Sequence, residues 1–358
     1  LWRAVSIDPS DNSVKLVTQW NISALPYNDA SGNATFKGSY IEQWLNDTSV
    51  DGFLGNLREP DKFIKTDSTW NATLTTATTK PEKTTMVTDA VGLLNIYEYT
   101  MSYKNASSST GYLNNSLDWW TLTPFRTVNL RFVSDIGTSY TNSPMNSYGS
   151  RPSINLKYAV KIIDGDVTVD NPYRLQGDND SPTGVLLSTR YSGEYIRFGT
   201  GENNLYRIVS HENGTGTKIT SAIPLKDNGS YKKLVFGSDT IYSKNNTIGT
   251  FLNGDYLTSG IYLTSDQVNM IEDNTTWYLG TVGDENYKLA KYQSTTSSSL
   301  TTTTTTAKVG LLRVGELMSG QFDKNNNNNS YYTLTPYDTS HIRYVYFRGN
   351  SNKFGPTY

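Results

Sequence analysis

The chain contains no cysteine and only two histidines, and its charged residues make up 18% of the sequence. Without cysteine there are no disulfides, no thiolate chemistry and no Cys-ligated zinc. His211 and His341 stand far apart in the chain, neither in a ligand-spaced cluster, so no metal site is expected. The balance of 31 basic against 33 acidic residues leaves a net charge of -2 with no basic run. Neither nucleic acid nor an anionic lipid surface is therefore an expected partner. No segment approaches the roughly 20 apolar residues of a spanning helix, so membrane insertion is not expected. The chain opens at Leu1 with neither Met nor a signal peptide, which predicts a piece of a longer protein. A Gly-x-Ser-x-Gly elbow is missing, and Ser230-x-x-Lys233 has no Lys-Thr-Gly companion. The expectation is no enzyme and no cofactor.

What is present is tyrosine, with 26 residues, together with abundant Asn, Ser and Thr. That profile suits short strands joined by long polar loops. At 358 residues the chain exceeds what one core sustains, so two domains of about 150–190 residues are expected. Glycosylation triplets occur at Asn21, Asn33, Asn46, Asn71, Asn105, Asn114, Asn213, Asn228, Asn245, Asn274 and Asn328. A chain this rich in Asn, Ser and Thr produces such triplets by chance, and they carry little weight.

Self-similarity supplies the division. Leu1-Trp-Arg-Ala-Val-Ser6 is answered by Leu205-Tyr-Arg-Ile-Val-Ser210, and Trp44-Leu-Asn46 by Phe251-Leu-Asn253. Val91-Gly-Leu-Leu94 with Glu98 returns as Val309-Gly-Leu-Leu312 with Glu316. Trp119-Trp-Thr-Leu-Thr-Pro-Phe125 returns as Tyr331-Tyr-Thr-Leu-Thr-Pro-Tyr337, and Leu130-Arg-Phe-Val133 as Ile342-Arg-Tyr-Val345. Blocks in one order at offsets between 204 and 218 predict a tandem repeat, residues 1–178 and 179–358, with the boundary near 176–184. Arg151-Pro-Ser-Ile-Asn-Leu-Lys157 follows the first copy and has no match in the second. Conversely, Gly193-Glu-Tyr-Ile-Arg-Phe198, an alternating strand, precedes only the second.

Local patterns fill in each copy. Apolar runs either side of Asp8-Pro-Ser-Asp-Asn12 predict a hairpin. Ile41, Trp44 and Leu45 fall at helical spacing behind Ser39, and Asn95 with Glu98 forms a capping-box pattern after a strand at 91–94. About two short helices per copy are expected. The Thr-rich stretches 73–85 and 294–306 bury too little to be core and are expected as exposed loops.

The order Leu-Trp-Arg, Trp-Leu-Asn, Val-Gly-Leu-Leu, Trp-Trp-x-Leu-Thr-Pro, Arg-Pro-x-Ile-Asn-Leu-Lys and Asn-Pro-Tyr resembles an uncharacterised family of repeated domains in surface proteins of low-GC Gram-positive bacteria. The resemblance covers nearly all of copy one and most of copy two, which has Tyr331-Tyr332 for the two Trp. It implies a secreted or wall-attached module, extracellular, in a fold similar to the C-type-lectin-like group also used by formylglycine-generating enzymes. The fold class implied is α+β, mostly β, as a tandem repeat of that domain. Fold alone does not fix function.

Trp2, Trp44, Trp119, Trp120, Phe251 and Tyr331 are expected to build the cores, at least one of each adjacent aromatic pair pointing inward. Arg131 and Arg343, set in apolar strands, are expected to form structural salt bridges, and Arg151 is placed with them as structural. Asp164-Gly-Asp166 and Asp170 read as a turn, since EF-hand spacing is lacking. The best ligand candidates are Tyr140, Asn142, Asn146 and Tyr148, in a stretch at 138–149 rich in adaptable contact residues. The expected function is non-catalytic adhesion to a glycan or protein ligand. The alternative is a structural unit of a self-assembling fibre or surface-layer array, associating through exposed sheet edges.

Overall fold

The computed structural model describes residues 1–28, 32–49, 52–103, 111–176, 186–190, 193–211, 216–279, 304–313, 330–336, 340–345 and 351–354. The fold is α+β and mostly β, with only short helices. The expected boundary at 176–184 lies, beyond Gln176, outside the described residues.

In the N-terminal half, β1 (Trp2–Ile7) and β2 (Val14–Thr18) form the expected hairpin. Asp8 Oδ1 accepts the Ser10 amide at 2.9 Å and Asn12 takes a left-handed φ of 59°, the turn chemistry those residue types favour. After β3 (Ser23–Pro26), α1 (Tyr40–Asn46) starts where the Ser39 hydroxyl accepts the Glu42 amide. A 3-10 turn (Leu54–Asn56) and α2 (Pro60–Phe63) follow, then β4 (Thr69–Asn71), β5 (Met86–Thr88) and β6 (Val91–Gly92). The Asn95–Glu98 capping box opens α3 (Ile96–Thr100). Five strands complete the half: β7 (Trp119–Arg126), β8 (Asn129–Val133), β9 (Ser139–Asn142), β10 (Ser147–Ser150) and β11 (Ser153–Leu156).

Two sheets result, one in the order β1-β2-β11-β6 and one in the order β3-β10-β7-β8-β9. Residues 147–156 bind them together, because β10 lies between β3 and β7 while β11 lies between β2 and β6. The corner between them is Arg151-Pro152, where proline fixes the bend and its carbonyl accepts the Thr18 amide at 3.0 Å. Strand alternation sends Trp119 and Trp120 to opposite faces of β7, and both are fully buried. Trp120 joins the main core with Trp44, Trp70 and Phe36, whereas Trp119 joins a smaller one with Tyr99, Ile96 and Val133. Trp2 is half-buried, its ring 6.5 Å from Phe53.

A small ribbon, β12 (Ile162–Asp164) and β13 (Arg174–Leu175), precedes the C-terminal half. There β14 (Tyr195–Arg197), β15 (Leu205–His211) and β16 (Thr217–Ser221) form one sheet, and β17 (Lys226–Asp227) and β18 (Ser230–Tyr231) a hairpin. The helices are α4 (Thr247–Leu252), α5 (Asp255–Thr258) and α6 (Ser265–Met270). β19 (Thr275–Tyr278) pairs with β20 (Thr304–Ala307), and β21 (Tyr331–Pro336), β22 (Ile342–Val345) and β23 (Ser351–Phe354) form a last sheet.

Specific contacts recur between the halves. The β1–β2 register slips between Ala4 and Ser6, and the β15–β16 register between Ile208 and Ser210. Asn46 receives the Val91 amide at 2.9 Å and returns its own amide to the Val91 carbonyl at 3.0 Å. Asn253 makes the same pair with Val309, both at 3.0 Å. Trp70 donates to the Asp89 carbonyl and covers Gly92, where an added Cβ would come within 2.3 Å of the ring. Trp277 donates to the Ala307 carbonyl and covers Gly310, where that distance would be 2.6 Å. Only glycine admits a ring so close. The Leu122 amide reaches the Leu94 carbonyl and the Leu334 amide the Leu312 carbonyl. Thr121 and Thr333 donate to the carbonyls of Arg131 and Arg343.

We expect Asn46→Ala and Asn253→Ala each to cost about 1–3 kcal/mol, because the first leaves the Val91 amide and carbonyl without the Asn46 side chain and the second removes the Asn253 partner of the Val309 amide, whose carbonyl keeps the Tyr242 hydroxyl. Denaturant unfolding of the single variants checks this, and equal effects identify the two amides as equivalent.

Some expectations are corrected. Each half carries three short helices among the described residues rather than two; Pro60, pre-set for the first helical turn, starts α2 without a side-chain cap. The helix expected near Glu316 lies outside the described residues. The stretch 73–85 is largely exposed, but Thr73 and Thr75 are buried, and Thr304 to Thr306 belong to β20 rather than to a loop. The remainder of 294–306 lies outside the described residues.

Candidate functional site

The stretch 138–149 is two strands and a turn, so its side chains are held rather than loose. Tyr148 stacks on Phe132 with centroids 4.3 Å apart, meets Trp120 edge-on at 4.8 Å, and receives the Asn142 amide on its hydroxyl at 2.6 Å. Tyr148 and Asn142 are thus brought together as packing for the aromatic core. Tyr140 stays 49% exposed with its ring 6.0 Å from Phe132, and Asn146 is exposed in the turn closed by its amide on Ser143. The surface presented here is one tyrosine face and one asparagine on a rigid support.

The arginines use partners that the sequence did not disclose. Half-buried Arg131 donates to the Thr75 carbonyl at 3.0 Å and sits over the Phe125 ring at 4.9 Å, a carbonyl and a π face in place of the expected carboxylate. Arg343 is buried on β22. Arg151 is fully buried at the corner between the sheets, giving Nε to the Thr18 carbonyl at 2.7 Å and Nη1 to the Leu113 carbonyl at 2.5 Å. Its guanidinium lies 4.9 Å over Trp119, and burial pushes its pKa below the ordinary arginine value.

Lys37 bridges Glu42 at 2.8 Å and Asp89 at 2.7 Å. Burial raises the Asp89 pKa above the usual 3.8, with the Lys37 hydrogen bond opposing. Asp8 and Asp11 are held below 3.8, Asp8 by Ser10 and Asp11, at about 2, by Lys65. Folded Asp89 binds its proton more readily than the unfolded chain does, so its contribution to stability grows as pH falls through its raised value and is complete near 3.8. Asp8 and Asp11 act the other way: the stability they supply is present above 3.8 and lost as pH falls through their lower values. We expect the melting temperature to rise slightly as pH falls from neutral toward about 4 and to fall below it. Asp89→Asn should flatten the rise and leave the acid fall, as thermal unfolding across that range will show.

Asp164 and Asp166 serve the turn. Asp164 accepts the Gly165 amide, and Asp166 accepts the Thr168 amide and hydroxyl. No group of three His, Cys, Asp or Glu suited to a metal occurs among the described residues. Asn21 is fully buried with its amide on the Asp118 carbonyl, and Asn46 has its amide and its carbonyl in use, so neither side chain is placed to carry a glycan.

The feature that the sequence reasoning missed is a cleft of about 680 Å³ in the C-terminal half. Its walls include Ile219, Thr220 and Ser221 of β16, the segment from Val309 to Leu312, residues 232–235, and Tyr331 with Tyr332. The lining is mainly aliphatic and tyrosyl, with exposed Lys232 and Lys233 at the rim.

None of the curated proteins and none of the solved structures compared with the chain matches it. Residues 11–158 match a family described as a domain of unknown function, DUF6273, a span that reaches from the β1–β2 turn through β11.

Proposed function

We propose that this chain is a non-catalytic binding module of an extracellular bacterial surface protein, built from two copies of one C-type-lectin-like domain. The observation that carries the reading is the cleft in the C-terminal half. At about 680 Å³ it falls in the size range of ligand sites, about 300–1,000 Å³, and it combines apolar walls with a few polar groups. Tyr140 and Asn146 on the N-terminal half supply a second contact face, of the tyrosine and asparagine chemistry that binding surfaces favour. The recurring Asn46 and Asn253 clamps and the Trp70–Gly92 and Trp277–Gly310 contacts support two copies of one domain.

One observation favours the alternative of a self-assembling fibre or surface-layer unit: among the described strands β16 stands at the edge of its sheet, and a strand edge can pair with another chain. Sedimentation over a wide concentration range separates the two, since a monomer supports the module and concentration-dependent polymers support the fibre. The binding reading is tested by presenting the chain to glycan and matrix-protein arrays, then repeating any positive with Leu311→Arg in the cleft and with Tyr140→Ala. Loss of binding in either variant, at unchanged melting temperature, locates the site. Absence of any ligand on the arrays counts against the module.

A further inference from the structure

We propose that Lys15 and Asn155 are the two ends of an intramolecular amide cross-link, formed between the lysine amine and the asparagine carboxamide with Glu98 as the catalytic carboxylate. The link ties β2 to β11 and stands independently of the binding reading.

Lys15 on β2 stands directly opposite Asn155 on β11 in the antiparallel register. Residues paired in this way share a face of the sheet with their Cβ atoms about 5 Å apart, a gap that one lysine side chain spans. The next pairs along mark which face it is: Val17 pairs with Ser153 and Ser153 with Gly92, and the Trp70 ring covers Gly92. Lys15 Nζ lies 5.0 Å from the centre of that ring and 2.5 Å from Glu98 Oε1. To reach a ring that covers β6, a side chain rooted on β2 crosses β11, the strand between them, and Asn155 is the β11 residue opposite its root. The amine is therefore drawn over the sheet instead of out to solvent, and the lysine side chain is only 16% exposed. Asn155 is buried, and its carboxamide takes no hydrogen bond among the described residues. A buried carboxamide normally has its donors and acceptor in use.

The three side chains supply every part of the reaction. Glu98 Oε1 takes a proton from the Lys15 ammonium, and the neutral amine attacks Cγ of Asn155. The Nζ–Cγ bond forms and the Cγ–Nδ2 bond breaks. Of the three ammonium hydrogens, one stays on the new amide and two pass by way of Glu98 to Nδ2, which leaves as ammonium. Charge is conserved, and no oxidant, reductant or cofactor is consumed. The capping box orients Glu98 for this: Oε2 accepts the Asn95 amide at 2.9 Å, and Oε1 is left to face the amine. That bond also keeps the carboxylate partnered after the lysine charge is gone. The Trp70 ring beside Nζ shields it from water, and such surroundings favour transfer of the proton to the carboxylate, since two neutral groups lose less hydration than an ion pair. The placement of the lysine is a repeated feature, for Lys218 Nζ lies 5.4 Å from the centre of the Trp277 ring, which covers Gly310. Once formed, the link closes a covalent loop that contains every element from β3 to β10, so the unfolded chain loses much of its freedom.

The test is the intact mass of the purified full chain. We expect a mass about 17 Da below that of the sequence, one ammonia lost, and tandem mass spectrometry of a digest should find a branched peptide that joins Lys15 to Asn155. Lys15→Arg and Asn155→Ala should each show the full mass and melt about 10 °C or more below wild type, because the loop is no longer closed. Glu98→Gln keeps the size of the side chain but cannot accept the proton, and should also show the full mass. Asn155→Asp presents a carboxyl in place of the carboxamide and should close with loss of water, about 18 Da below its own sequence mass. The wild-type mass needs no variant, so it decides the matter even where a substitution disturbs folding. A full sequence mass in the wild-type chain overturns the inference. So does an ammonia loss confined to one linear peptide, as a succinimide gives, or a branch that joins any other pair of residues. Cross-linking in Glu98→Gln as complete as in wild type overturns the assignment of Glu98.

Discussion

Arg151→Ala lowers the unfolding free energy by about 3–5 kcal/mol, the sum of a large-to-small cavity and two buried carbonyls left without a donor. The side chain is fully buried, and its Nε and Nη1 occupy the carbonyls of Thr18 and Leu113, one on β2 and one in the segment before β7. Its aliphatic stem and planar head also fill the space over Trp119. Arg151→Met fills much of that volume but donates nothing, so it should fall between wild type and alanine. Arg151→Lys keeps the charge but cannot serve both carbonyls with a planar fork, and should also lose stability. Urea unfolding of the three variants, with hydrogen exchange read at β2 and β11, gives the order. An alanine variant as stable as wild type would show that the corner holds without the guanidinium.

Whatever is local was legible in the sequence. The Asp8 to Asn12 turn, the Ser39 cap and the Asn95–Glu98 box are all set by residues within a few positions of one another, and each forms as expected. Burial of at least one of Trp119 and Trp120 followed from strand alternation, which did not show that both faces of β7 are covered. What was hidden depends on pairing between distant segments. Nothing near Ser147 or Ser153 states that the first joins β3 and β7 and the second β2 and β6, because strands of four residues carry too short a pattern to name a partner. The roles of Asn46 and Asn253 were hidden for the same reason: each is read locally as the end of a helix, and only the fold sets it against the segment it clamps. Tyr148 was read as a ligand contact from composition, and its packing against Phe132 and Trp120 comes from neighbours in two other segments.

Trp120→Ala and Tyr332→Ala, at matching places in the two halves, should differ in cost. Trp120 is fully buried, donates to the Leu25 carbonyl at 3.1 Å, and meets Tyr27, Phe132 and Tyr148 edge-on. Its truncation should cost about 3–5 kcal/mol. Tyr332 packs against Phe236 at 5.5 Å but is only half-buried, and its loss should cost about 1–2 kcal/mol. The difference traces to burial: β10 lays Tyr148 across the fully buried Trp120, whereas Tyr332 is half-buried. Unfolding followed by hydrogen exchange, so that each half reports its own transition, measures both values. Equal costs would mean that Tyr332 is already as well covered as Trp120 and that the cleft is closed in solution.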